Sequence, residues 1–121
     1  MPSLLRLAAF LGFSGVAQGA FGAHGLRDRV SPAMLEVYRT GVLYQLIHAL
    51  ATLGVALGAA RIRRAGVIAG LFAGGVALFS GSLYLLALTG VTALGAVTPI
   101  GGLAFLAGWA LLFFSPTAPD A

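Results

Sequence analysis

The sequence predicts an all-α integral membrane protein, a four-helix bundle with a short interfacial helix between spans 1 and 2. Composition is the first observation behind this: of 121 residues, 60% are hydrophobic and only 8% charged, against roughly a quarter charged in a soluble domain. The second is distribution, because the apolar residues fall into runs of about 18 or more, long enough to cross hydrocarbon. The third is that the formal charge of +4 is carried by arginine alone. Those arginines flank the apolar runs, where they set orientation and meet lipid head groups rather than nucleic acid. With no cysteine, redox thiols, disulfides and thiolate metal ligation are excluded. The chain is expected to form a single four-span domain over residues 1–121.

The first span is expected from Leu4 to Ala23, broken only by Arg6, Ser14 and Gln18. A secretory signal has a similar outline, a basic residue, an apolar stretch and small residues at Ala17 and Gly19. The apolar run continues to Phe21 and favours a span. Gly25, just after His24, reads as the helix terminator. A polar connection carrying Arg27, Asp28 and Arg29 follows. Ser31-Pro32 is an N-cap followed by a first-turn proline. The helical pattern beginning there, Met34, Leu35, Tyr38 and Val42 on one side and Glu36, Arg39 and Thr40 on the other, is the interfacial helix. It can run on into the second span, Gly41 to Ala60.

Arg61, Arg63 and Arg64 close the second span on the far side of the bilayer. The third span is Gly66 to Leu88, interrupted by Ser80, Ser82 and Tyr84. An uncharged connection, Thr89 to Thr98, leads to a second cap-plus-proline signature at Thr98-Pro99. The fourth span runs from Pro99 to Phe114, with Trp109, Phe113 and Phe114 near its end, where aromatic rings favour the interface. Four spans put both termini on one side. Arg6, Arg61, Arg63 and Arg64 on that side face Arg27, Arg29 and Arg39 on the other, which predicts cytoplasmic termini.

Glycine supplies 18 residues. Gly15 and Gly19, Gly54 and Gly58, and Gly66, Gly70 and Gly74 are spaced by four, which lines helix faces with small residues. In lipid such faces let backbones approach closely, so they are expected to point inward.

GAFGAHGL at Gly19 to Leu26, Tyr44-Gln45-x-x-His48-Ala49, FSGSLY at Phe79 to Tyr84 followed by LALTG, and TPIGG with Gly108-Trp109 resemble a family of small membrane proteins. It is catalogued as domain of unknown function 423, and its relatives include the mitochondrial transmembrane protein 256. The resemblance spans nearly the whole chain in order and spacing. It implies a four-helix protein of the bacterial inner membrane with no established activity.

The residues themselves narrow the chemistry. Gln45, His48 and Thr52 share one stripe of the second span, with Tyr44 one turn from His48. An ionisable group at this depth must face protein or water. Gln18, Ser80, Ser82 and Tyr84 are the expected partners of His48, completing a candidate intramembrane polar cluster. The competing readings are a packing role and a ligand or proton role. His24, Arg27, Arg29 and Arg39 are candidate contacts for lipid head groups or anions. Two histidines without carboxylates at matching depth make a poor metal or haem site, so no cofactor is expected. Asp28, Glu36 and Asp120 all lie outside the spans, which argues against proton antiport through a carboxylate. No nucleophile with a base and an orienting acid appears, so no enzyme is expected. The expected role is an accessory or lipid-interacting module, the alternative a small oligomeric transporter or channel with a polar path near His48. Membrane lipid and a second copy of the chain are the expected partners.

Overall fold

A computed structural model describes residues 2–117. Asp120 therefore lies outside the described residues. Four helices long and apolar enough to cross a membrane are present: α1, Pro2–Leu26; α2, Pro32–Leu57; α3, Ala65–Thr89; and a fourth segment, Thr92–Phe113, whose α-helix, α4, is Thr98–Phe113.

The end of α1 departs from expectation. Gly25 does not terminate it; the helix widens into a π turn over Gly22–Leu26 and continues to Leu26. Only Arg64 and Gly90 have positive φ among the described residues, so Gly25 acts through its missing side chain instead. A Cβ on it would lie 2.9 Å from the Phe21 ring.

Ser31 caps α2 as its sequence indicates, extended at ψ 156° with its hydroxyl accepting from the Met34 amide at 3.2 Å. From Pro32 the helix is unbroken to Leu57. The interfacial turns and the second span are thus one element of 26 residues, roughly 39 Å long at 1.5 Å per residue. That exceeds a hydrocarbon thickness of about 30 Å, so its first turns carry Glu36 and Arg39 beyond the apolar layer.

The arginine loop is pinned by the end of the chain. Arg63 N–H donates to the Ser115 carbonyl and Thr117 N–H to the Arg61 carbonyl, each at 2.9 Å, so Ile62 and Pro116 pair as an antiparallel bridge. Arg64 starts α3 from the left-handed region at φ 59°. Within α3 a second π turn covers Val76–Ser80. Gly90, at φ 72°, closes the helix with its N–H on the Leu86 carbonyl at 2.8 Å. The uncharged connection winds into a 3-10 turn over Thr92–Ala96. Thr98 does not cap α4: no side chain caps that helix, and its hydroxyl instead meets Ser82 at 2.6 Å.

The core is a column. Val55, Ile68, Ala69 and Phe72 pack at the arginine-loop end. Leu11, Ala49, Val76 and Phe105 fill the middle, and Leu26, Leu35, Tyr38 and Tyr84 the other end. Large apolar side chains such as Phe13, Leu50, Leu106 and Phe113 are exposed around it, as a protein whose solvent is hydrocarbon requires.

The glycine faces correct one expectation. Gly15 and Gly19 do meet α2, at Leu46 and Val42. Gly54, Gly66, Gly70 and Gly74 have no neighbour within 4 Å of a Cβ position. Spacing by four defines a face, but it does not say what lies opposite. Close approach occurs at Gly41 against Tyr84, Gly75 against Phe105, Gly101 against the Phe79 backbone and Gly108 against Phe72.

Candidate functional site

The buried polar residues of α2 follow the alternating three-four spacing of one helix stripe, Gln45, His48 and Thr52, with Tyr38 and Gly41 extending it toward the N-terminus. Each anchors a different neighbour.

Gln45 is the hub. Its amide nitrogen donates to the Leu11 carbonyl at 3.0 Å and to the Ser14 hydroxyl at 2.8 Å, both on α1. Its carbonyl oxygen accepts from the Tyr84 hydroxyl of α3 at 2.7 Å. One side chain thereby joins three helices. One stripe step away, the Ser80 hydroxyl donates to the Gly41 carbonyl at 2.6 Å. The π turn ending at Ser80 brings that hydroxyl to α2. Gln18 does not reach His48; it accepts from the Tyr38 hydroxyl. The Thr52 hydroxyl donates to the His48 carbonyl within its own helix, at 2.7 Å.

None of the four expected partners of His48 bonds to it. Its Nδ1 meets the Tyr44 carbonyl at 2.7 Å, and Nε2 accepts from the Trp109 indole N–H at 3.0 Å. Trp109 therefore reaches inward from α4 rather than serving only as an interfacial ring. The imidazole lies parallel on Phe105, centroids 3.7 Å apart and planes 10° apart. Tyr44 stands beside it, stacked at 6.3 Å from His48 and packed at 4.5 Å on Phe79.

The expected polar cluster is thus several separate ties. Gln45, Tyr84, Ser14 and Leu11 form one; Gln18 with Tyr38, Ser80 with Gly41, Ser82 with Thr98, and His48 with Trp109 form others. Among the described residues no buried side-chain nitrogen or oxygen lacks a partner. Trp109, Phe105, Tyr38, Ser14 and Thr98 were not among the expected members. A signal for two of them was present: Gly101, Phe105 and Gly108 repeat at helical spacing and are the buried residues of α4, and Trp109 lies one turn beyond Phe105.

His24, Arg27, Arg29 and Arg39 are all exposed at the α1–α2 end. His24 Nδ1 lies 3.0 Å from the Ala20 carbonyl, and Arg39 pairs with Glu36 across 3.7 Å.

Four apolar helices tied by uncharged side chains, with large apolar groups facing outward, define an integral membrane protein of the all-helical class. The family model described as "Protein of unknown function (DUF423)" matches residues 18–102, and the chain belongs to that family. Similar proteins include the UPF0382 membrane protein YwdK of Bacillus subtilis, 42% identical over 115 residues (93% of this chain, 94% of that one). The UPF0382 membrane protein SH2409 of Staphylococcus haemolyticus is 44% identical over 119 residues, 95% of each chain. The UPF0382 inner membrane protein YgdD of Escherichia coli is 45% identical over 113 residues (90% of this chain, 85% of that one). No solved structure matches.

Proposed function

We propose that this protein is a non-catalytic accessory or lipid-interacting module of the bacterial inner membrane. The observation that carries this reading is the full use of its buried polar groups. Gln45, His48, Thr52, Ser80, Ser82 and Ser115 are the buried polar residues, and their atoms serve in ties within and between helices. A transport path needs polar groups that exchange partners with the moving species, and a reaction needs a group left free to act.

The orientation belongs to the same proposal. Arg61, Arg63 and Arg64 are held in a short loop stapled to the chain's end, the kind of compact basic segment that stays cytoplasmic. At the opposite end, His24, Arg27, Arg29 and Arg39 are placed to meet head-group phosphates.

Native mass spectrometry of the protein released from lipid nanodiscs tests the reading, with solute flux measured in parallel in liposomes. Retained phospholipid with no flux is the expected result. Flux that disappears in His48→Ala would replace this reading by the small oligomeric channel. A C-terminal alkaline phosphatase fusion should be inactive and the matching fluorescent-protein fusion bright; the reverse would place the termini outside.

A further inference from the structure

Between α2, α3 and α4 lies a groove of about 520 Å³ whose walls include Tyr44, His48, Phe79, Phe105 and Trp109. This is the size of a small-molecule pocket. Three of its rings are nearly parallel: His48 to Phe105 within 10°, Tyr44 to His48 within 11° and Tyr44 to Phe105 within 18°. The mouth is flanked by Leu103 and Leu106, 65% and 67% exposed, so it opens where the surrounding solvent is hydrocarbon.

The polar groups in the groove are few and most are committed. Both imidazole nitrogens and the indole N–H are used. The Tyr44 hydroxyl takes no part in the bonds that tie the helices together, and Tyr44 is 38% exposed. No charged side chain lines the groove, which removes phosphate head groups and ions from the candidates. A plain acyl chain fits the walls but makes no use of the parallel rings or the hydroxyl. A neutral, flat, lipid-soluble ring bearing hydrogen-bond acceptors uses both.

We propose that this groove binds the ring of a lipid-soluble quinone, a ring carbonyl accepting from the Tyr44 hydroxyl and the tail leaving past Leu103 and Leu106. The proposal deepens the lipid-interacting reading and rests on it.

The test is titration of the purified protein in nanodiscs with decylubiquinone, a benzoquinone on a ten-carbon tail, read by emission of Trp109, the sole tryptophan. Saturable quenching is expected. Tyr44→Phe, which loses one neutral hydrogen bond, should weaken binding about three- to tenfold. Gly102→Leu should abolish saturation: Gly102 lines the groove, and a Cβ there meets only the Phe79 ring edge at 3.9 Å, so the variant fills space without a clash. Its unfolding midpoint should match that of the parent. Quenching that rises linearly with quinone, saturation unchanged in Gly102→Leu, or equal displacement by decylbenzene would each overturn the proposal. Phospholipid retained in native mass spectra without saturable quenching would overturn it too, while leaving the lipid-interacting reading in place.

Discussion

Trp109 donates its indole N–H to Nε2 of His48 across 3.0 Å, and this contact assigns the form of the histidine. An indole N–H can only donate, so Nε2 must present a lone pair. A carbonyl can only accept, so the proton resides on Nδ1, 2.7 Å from the Tyr44 carbonyl. The assignment follows from the partners: the imidazole is neutral, with each nitrogen in a defined role, and α4 is fastened to α2 at the level of Phe105.

Trp109→Phe keeps an aromatic side chain but strands the Nε2 lone pair. Interhelical hydrogen bonds in membrane proteins average about 0.6 kcal/mol and reach about 1.7. A double-mutant cycle of Trp109→Phe with His48→Phe, followed by reversible unfolding in micelles, should return a coupling in that range. A coupling near zero would show that the stacking on Phe105 holds His48 without the indole.

Gln45 should matter more than His48, because three bonds converge on it. Gln45→Leu keeps the volume and leaves the Tyr84 hydroxyl without its acceptor. At about 0.6 kcal/mol per bond the loss is about 2 kcal/mol. Tyr84→Phe removes only one bond and should cost about a third as much. The two variants, compared by thermal unfolding in one detergent, check the ratio; equal losses would mean that the Leu11 and Ser14 bonds contribute nothing.

The helix plan was legible because apolar length and flanking charge are properties of the chain itself. So was the Ser31 cap, which is local. The inward stripe of α2 was legible from its three-four spacing, and His48 and Gln45 do lie on it. Their partners were not, since pairing across helices depends on relative rotation and height, which the two π turns alter by one residue each. Thr98 shows the same limit: its cap signature is local, yet a hydroxyl on a neighbouring helix wins. Gly66, Gly70 and Gly74 share a face as their spacing says, but only the assembled bundle reveals that α3 turns that face outward.

Arg64 offers a backbone test. It holds φ at 59°, a conformation that costs a side-chain-bearing residue about 1 kcal/mol or more. Arg64→Gly should therefore raise the unfolding midpoint, and Arg64→Val, β-branched at the same φ, should lower it. Calorimetry of the two variants in nanodiscs checks the sign. A drop in both would mean that the guanidinium itself stabilises the loop.

The glycines separate backbone approach from mere abundance. At Gly101 an added Cβ falls on the Phe79 backbone nitrogen, with the Phe79 Cα at 2.8 Å. Backbone cannot rotate away as a side chain can, so Gly101→Ala must push α4 off α3 and should cost at least the 1–3 kcal/mol, approximately, of an overpacked core. At Gly70 nothing lies within 4 Å of the same atom. Gly70→Ala should then be neutral or gain up to about 1 kcal/mol from helix propensity. Unfolding of both variants at low protein-to-detergent ratio measures the contrast. If Gly70→Ala were destabilising at high but not low protein concentration, its face would be covered by another chain. A loss independent of concentration would instead contradict the outward placement of that face.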